Sequence, residues 1–283
     1  MSTTSNGQTP ARRPGLKKGP ALGGPTGGTG SVEPTVPLRS LLTIIYEDDA
    51  IVVVNKRPGF PVVPTGGFRE RSVVRALAAA GYGELQPIHR LEREVSGLVL
   101  MSRNSDVAKA LRWNWRSNLC ERTYLAVVNG DIAGARGRIT LPIGSVRIGP
   151  PSRRRRVMTA EEGGRPAETR WKLLARGRGM SRLQITVGNA RPHQVRIHLN
   201  AIGYPVVNDS VFRDMATEVP IADLVGVPSR SADSPKLPPY QVALHCARVS
   251  MPHPVTNEIV VFEAPVPRLL IDLMPGAWVV EGT

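Results

Sequence analysis

Cysteine, acidic residues and long apolar runs are all scarce in this sequence. Among its 283 residues are two cysteines, Cys120 and Cys246. Two thiols this far apart supply neither a disulfide framework nor a Cys-x-x-Cys metal knuckle, so both are expected as buried free thiols in a reducing compartment. No stretch approaches the roughly 18 apolar residues of a membrane helix. The opening "MSTTSNGQTPARRPGLKKGP" has no apolar core of a secretory signal. These absences predict a cytoplasmic protein with no membrane contact. His-Glu-x-x-His and P-loop patterns are missing too, so neither metal nor cofactor is expected. Acids number 23 against 37 lysines and arginines, a formal charge of +14. Such an excess predicts a polyanionic partner, most simply nucleic acid.

What is present is unevenly distributed. Residues 1–35 are rich in Gly, Pro, Ser and Thr, and carry Arg12, Arg13, Lys17 and Lys18 with no acid before Glu33. That composition cannot bury enough apolar surface to offset its ordering entropy, so a disordered basic tail is predicted. Residues 36–283 read as one folded domain. "LLTIIYEDDAIVVVNKRPG" is strand, Asp-Asp turn, strand. "RSVVRALAAAG" is a short helix stopped by Gly81. "SDVAKALRWNWRSN" is a helix with Val107, Leu111 and Trp115 on one face. "ERTYLAVVNG" and "SRLQITVG" are strands, "RPHQVRIHLNAIG" has helical spacing, and "VALHCARVSMPHPVTNEIVVFEAP" is a hairpin. Many strands with few, short helices predict an α+β domain built on a mostly antiparallel mixed sheet with short flanking helices. Nothing in the sequence speaks for an oligomer, and a monomer is expected.

The densest cluster of ionisable groups is "HRLEREVSGLVL", His89 to Leu100. It resembles the signature of the RluA-type RNA pseudouridine synthases: His-Arg-Leu-Asp, two variable residues, Thr-Ser-Gly and an apolar strand. "IIYEDDAIVVVNKRPGFPV" is similar to that family's opening hairpin and "ERTYLAVVNG" to its tyrosine motif. "RPHQVRIHLNAIGYPVVND" is similar to its third motif, and "LHCARVSMPHPVTNEIVVFEAPVP" to its closing strands. The likeness runs from about Leu41 to Pro267. It implies the pseudouridine synthase catalytic fold, no cofactor or metal, an rRNA or tRNA substrate, and an isomerisation of uridine that breaks the glycosidic bond, turns the base and rejoins it through carbon.

Carried over residue by residue, the resemblance implies Glu92 as the catalytic carboxylate and Arg90 as the residue that fills the space of the extruded base. It implies Tyr124 as the stacking platform and Arg196 as the partner of the carboxylate, with Arg191 a second candidate. Each role suits its residue type. A stacked base must be extruded to be reached. A planar guanidinium can replace it in the stack. An aromatic ring can receive it, and a nearby arginine keeps a buried carboxylate ionised. Arg191, His193 and the run Arg153, Arg154, Arg155, Arg156, placed in a loop between strands, are expected to contact RNA. Glu94, at a variable position of the pattern, is expected as an exposed charge.

The sequence also departs from the family pattern around this site. Glu92 stands where the family has Asp, and Val95 where it has Thr. Ala190 and Pro192 flank Arg191, and Asn208 precedes Asp209 where a Gly is expected. The extra methylene extends the carboxylate by about 1.5 Å, and misplacement near 1 Å costs on the order of 100-fold in rate. Two readings follow: a pocket that has shifted to suit Glu92, or an RNA-binding assembly or folding factor that has kept the fold and lost turnover.

Overall fold

The computed structural model describes residues 41–66, 68, 71–149, 152–212, 237–275 and 278–279. All lie in one compact unit, Val36–Thr283. The predicted basic tail, residues 1–35, is outside the described residues.

The chain opens with β1 (Leu42–Glu47) and β2 (Ile51–Lys56), an antiparallel pair. Asp48 closes the turn, its Oδ1 accepting the backbone N–H groups of Ala50 and Ile51 at 2.7 Å each. That is the local Asx bonding for which Asp is favoured in turns. Helix α1 (Val73–Leu77) runs into a wider turn over Ala78–Tyr82, where Gly81 takes a left-handed φ of 88°. The short β3 (Gln86–Pro87) leads through the "HRLEREV" loop into β4 (Ser96–Ser102), whose seven residues are all buried. Helix α2 (Ser105–Arg116) starts at Asn104, whose side chain accepts the Val107 N–H at 2.9 Å. Leu111 and Trp115 are buried on its inner face. Trp113, two residues away on the helix, is 63% exposed.

Then follow β5 (Glu121–Asn129), β6 (Arg136–Ile139), β7 (Ile143–Gly149), β8 (Ser152–Val157), β9 (Thr169–Gly177) and β10 (Met180–Val187). Helix α3 (Gln194–Ala201) precedes β11 (Leu244–Pro252), β12 (Ile259–Glu263), α4 (Arg268–Asp272) and β13 (Trp278–Val279). The main sheet has 11 strands, in the order β1-β2-β4-β11-β5-β10-β9-β13 with β3, β6 and β12 paired off that path. Every pairing is antiparallel except β4 with β11. The predicted α+β mixed sheet is thus present.

Gly97 makes that parallel pairing possible. A Cβ there would stand 2.3 Å from the Cys246 carbonyl oxygen, and φ is 115°, so the backbones approach only without a side chain. Ser96 Oγ sits 2.9 Å from His245 Nδ1 across the same junction. The Ser-Gly of "HRLEREVSGLVL" therefore locks two central strands together directly beside the loop that bears Glu92.

One expectation is corrected. The arginine run does not lie in a loop: it forms β8, paired with β7 in a separate two-stranded sheet. β-branched Val157 and the register Ser145↔Arg155, Val146↔Arg154 extend it as a strand. Alternation then sends neighbouring arginines to opposite faces. Arg154 and Arg156 share one face and Arg155 takes the other.

Candidate active site

The loop carrying Glu92 is pinned at several points. His89 is buried, stacks on Trp115 with ring centroids 4.5 Å apart, and accepts the Leu100 N–H through Nε2 at 3.2 Å. Burial, with Arg122 nearby, keeps its pKa well below the ordinary histidine value, so the ring is neutral. Carbonyls of the loop are taken by outside donors: Arg93 O by Gly59 N–H at 2.7 Å, and Glu94 O by Val242 N–H at 3.1 Å. Lys56, fully buried, adds Nζ hydrogen bonds to the carbonyls of Arg57, Phe60 and Arg93 at 2.9, 3.0 and 3.3 Å. Burial pushes its pKa down to about 7, against the pull of Glu94 and Glu92.

Helix α3 supplies the opposite wall. Its entry residue His193 holds a left-handed φ of 62°, and all but Asn200 of its eight residues are buried. Gln194 fixes the entry, accepting the Arg191 N–H at 2.8 Å and donating to the Glu168 carbonyl at 2.7 Å. Arg196, 2% exposed, points from this helix into the site. Its Nε and Nη2 grip Asp209 at 2.6 and 2.7 Å, the two-pronged geometry that suits guanidinium and carboxylate. Its Nη1 donates to Glu92 Oε2. The guanidinium lies 4.8 Å from the Phe212 ring centroid.

Glu92 meets a second side chain, at the entry to helix α3. His193 Nδ1 is 2.9 Å from Glu92 Oε2, off the line of a good hydrogen bond. Burial works to raise the Glu92 pKa, and the His193 contact and the Arg196 charge outweigh it, leaving the carboxyl below its ordinary value. Glu92 is therefore ionised at neutral pH. One carbon longer than Asp, it still lands on Arg196.

These groups face a cavity of about 420 Å³. Tyr124 lies in its wall, buried among Arg122, Cys246 and Val187, and burial raises its hydroxyl pKa. The described lining holds five arginines, at 90, 93, 122, 191 and 196, against one carboxylate, Glu92. Arg90 is exposed at the mouth and has no ion pair among the described residues. A larger cleft of about 590 Å³ lies alongside and shares Arg191. Its acids, Glu121 and Glu168, sit at the surface paired with Arg170 and Arg138, so it lacks a desolvated carboxylate and is not the reactive centre.

The structure brings together Glu92, Arg196, His193, Tyr124 and Arg90. Arg191 lines the same cavity without an ion pair to Glu92 among the described residues: its Nε donates to the Pro166 carbonyl at 3.2 Å. The hairpin arginines belong to the other sheet. Glu94 is corrected. It is half-buried, 3.1 Å from Arg93 and 3.8 Å from Arg196, because Val242 holds its backbone against the core. The sequence assigned no role to Asp209, Lys56 or Arg122. A signal existed for Arg122, which precedes Tyr124 by two on a strand and so shares its face. Asn208 occupies φ 66° and donates to the carbonyls of Pro238 and Gln241, which explains how Asn serves where the pattern has Gly. Among the described residues no group of three His, Cys, Asp or Glu is placed to hold a metal. No helix there is long and apolar enough to cross a membrane.

The fold is an α+β mixed sheet that sets an arginine-clamped carboxylate on a basic cavity, and comparison with known proteins places it in a family. The family model described as RNA pseudouridylate synthase matches residues 50–201, and the chain belongs to that family, in its RluA-type branch. It is 33% identical to the ribosomal large subunit pseudouridine synthase D of Neisseria meningitidis serogroup A, over 84% of this chain and 62% of that protein. It is 29% identical to the dual-specificity RNA pseudouridine synthase RluA of Pasteurella multocida, over 82% of this chain and 96% of that one. The solved structure of human RNA Pseudouridylate Synthase Domain Containing 1 shares the fold, with a TM-score of 0.65 at 20% identity, covering 89% of this chain and 94% of that one. The chain spans 62% to 66% of the length of the first curated relatives it matches.

Proposed function

We propose that this protein isomerises uridine to pseudouridine in RNA, with rRNA the first candidate substrate and tRNA the second. The observation that carries the reading is the ionised Glu92, held by buried Arg196 against a cavity whose wall includes Tyr124. Breaking a glycosidic bond leaves positive charge on the sugar, and a desolvated carboxylate held in place stabilises it. The extruded uracil stacks on Tyr124. Arg90, exposed at the mouth, enters the gap that the base leaves in the RNA. Arg191 and the β8 arginines contact backbone phosphates.

A second reading is favoured by the Asp-to-Glu departure: the same fold serving as a non-catalytic RNA-binding factor. One experiment separates them. RNA from a strain lacking the protein is incubated with the wild type, Glu92→Gln and Glu92→Asp, and pseudouridine is mapped. The enzyme reading expects new pseudouridine with the wild type and none with Glu92→Gln, while Glu92→Gln binds RNA as tightly. Tight RNA binding with no product from any variant would establish the binder instead.

A further inference from the structure

Arg122 is the feature of the cavity that the catalytic roles do not use. It sits in β5, two residues before Tyr124, so both side chains project from the same face of the strand. It is 6% exposed and lines the cavity. One Nη2 N–H donates to the Gly188 carbonyl at 2.6 Å, and the guanidinium lies 4.9 Å from the Trp115 ring. Its Nε is buried and has no acceptor among the described residues.

A buried cation ordinarily has a carboxylate partner, because desolvating an unpaired charge is expensive. Arg196 obeys that rule twice over, whereas Arg122 forms no ion pair among the described residues. The groups around it are neutral or of the wrong kind: the His89 ring, the Trp115 indole, the Tyr124 hydroxyl and the Cys120 and Cys246 thiols. Its neighbour Glu121 points to the surface and pairs with Arg170. Glu92, the carboxylate of the cavity, is held by Arg196 and His193. An acceptor of full negative charge is therefore missing among the described residues.

We propose that Arg122 binds a backbone phosphate of the RNA, the one next to the uridine stacked on Tyr124. This assignment rests on the proposed RNA-modifying function. A guanidinium matches phosphate with paired N–H donors. The strand rise of about 3.3 Å per residue places Arg122 roughly two residues' rise from Tyr124, the separation of a sugar between base and phosphate. Arg122 is then a substrate-positioning residue: it seats the sugar against Glu92 through the phosphate. A neutral uracil carbonyl is the competing acceptor, and it differs in one measurable respect, because contact with a phosphate releases counterions and contact with a carbonyl does not.

The test measures binding of a single-stranded oligouridylate to the full chain as a function of salt, for the wild type, Arg122→Gln and Arg122→Lys, with thermal melts to verify folding. The expected result is a loss of affinity of about ten- to a hundredfold in Arg122→Gln. Its salt slope should fall by about 0.7, the contribution of one phosphate on a single strand. Arg122→Lys keeps the slope. Weaker binding of Arg122→Gln with an unchanged slope overturns the phosphate assignment in favour of a neutral acceptor, and unchanged affinity and slope overturn any contact. A folded wild type that binds no oligouridylate defeats the RNA reading itself, and the present assignment with it.

Discussion

Two arginines are buried in the lining of one cavity, and they face opposite fates. Arg196 is clasped by Asp209 and Glu92, with Glu94 3.8 Å away. Arg122, nearly as inaccessible, has a single carbonyl and an aromatic face. Similar burial with such different partners separates an internal structural charge from one directed at a ligand. The first holds its neighbours in a fixed protonation state. The second stays costly until something anionic arrives. A basic protein can thus use one residue type to build its reactive group and to seat its substrate.

Arg196→Met strikes the fully paired member, and the largest effect is expected there. It strands the buried Asp209 and the half-buried Glu92, and removing one partner of a buried pair costs about 3–5 kcal/mol. Denaturant unfolding measures this loss, and product formation should vanish with it. The pH dependence follows from the Glu92 shift. Its pKa is held below the ordinary 4.5, so the ionised form and the stability it contributes persist above that value and are lost as pH falls through the lower folded value. His193→Ala removes the contact that, together with Arg196, offsets the burial of Glu92. The acid limb of kcat/KM should then move to higher pH, while Arg122→Gln leaves that limb where it was. If both variants shift it equally, the division of labour between the two arginines collapses.

Next in size is Glu92→Asp. The structure already seats the longer side chain on Arg196 and beside His193, so shortening it withdraws the carboxylate from both. A displacement near 1 Å costs on the order of 100-fold in kcat. A variant faster than the wild type would mean that the cavity still fits the family's Asp and that Glu92 is the misfit.

The parts of this arrangement that a single chain segment determines were readable from the sequence. Asp48 flanked by β-branched runs specified the β1–β2 turn, and Leu111 with Trp115 specified the inner face of α2. "HRLEREVSGLVL" singled out Glu92 through its resemblance to a known family. What escaped detection depends on pairings between distant segments. Asp209 lies 13 residues from Arg196, and nothing in "VVNDS" says that the chain turns back to meet it. Lys56 gave no signal, because its three acceptors are backbone carbonyls that leave no mark in side-chain patterns. Glu94 looked solvated until Val242 captured its backbone. The arginine run failed for a different reason. It was expected in a loop, but only the base of its hairpin, at Ile143 and Val157, packs on a core cluster, and the rest is open enough to carry arginines on a strand.

Lys56 is intermediate between the two arginines: buried like both, and bonded only to carbonyls. Its pKa of about 7 against an ordinary 10.5 means that the unfolded chain binds a proton the folded chain releases across that window. Stability should therefore rise with pH between about 7 and 10.5. Lys56→Met abolishes that rise. It also leaves the carbonyls of Arg57, Phe60 and Arg93 without their donor, at a cost of about 1–3 kcal/mol near pH 10 that shrinks toward pH 6.5 as the buried charge is no longer a burden. Unfolding by urea at both pH values measures the difference. A constant gap between the two proteins would show that Lys56 keeps its proton in the fold.

The smallest effect belongs to the exposed arginines of β8, and it completes the contrast with Arg122. Arg154 is exposed and Arg155 half-exposed, so neither is strained by desolvation, and each gains little from any one phosphate. Strand alternation puts them on opposite faces, so a single RNA strand running along the hairpin meets one of them, not both. Arg154→Gln should lower the salt slope for RNA by about 0.7 to 0.9 if that face carries the RNA, with affinity reduced only a few-fold at moderate salt and turnover on saturating RNA unchanged. Arg155→Gln then leaves the slope intact. Equal losses from both substitutions would require RNA on two faces of the hairpin, a wrap and not a groove. The buried Arg122 would no longer be distinguished from the surface arginines by position, but only by the depth of its loss.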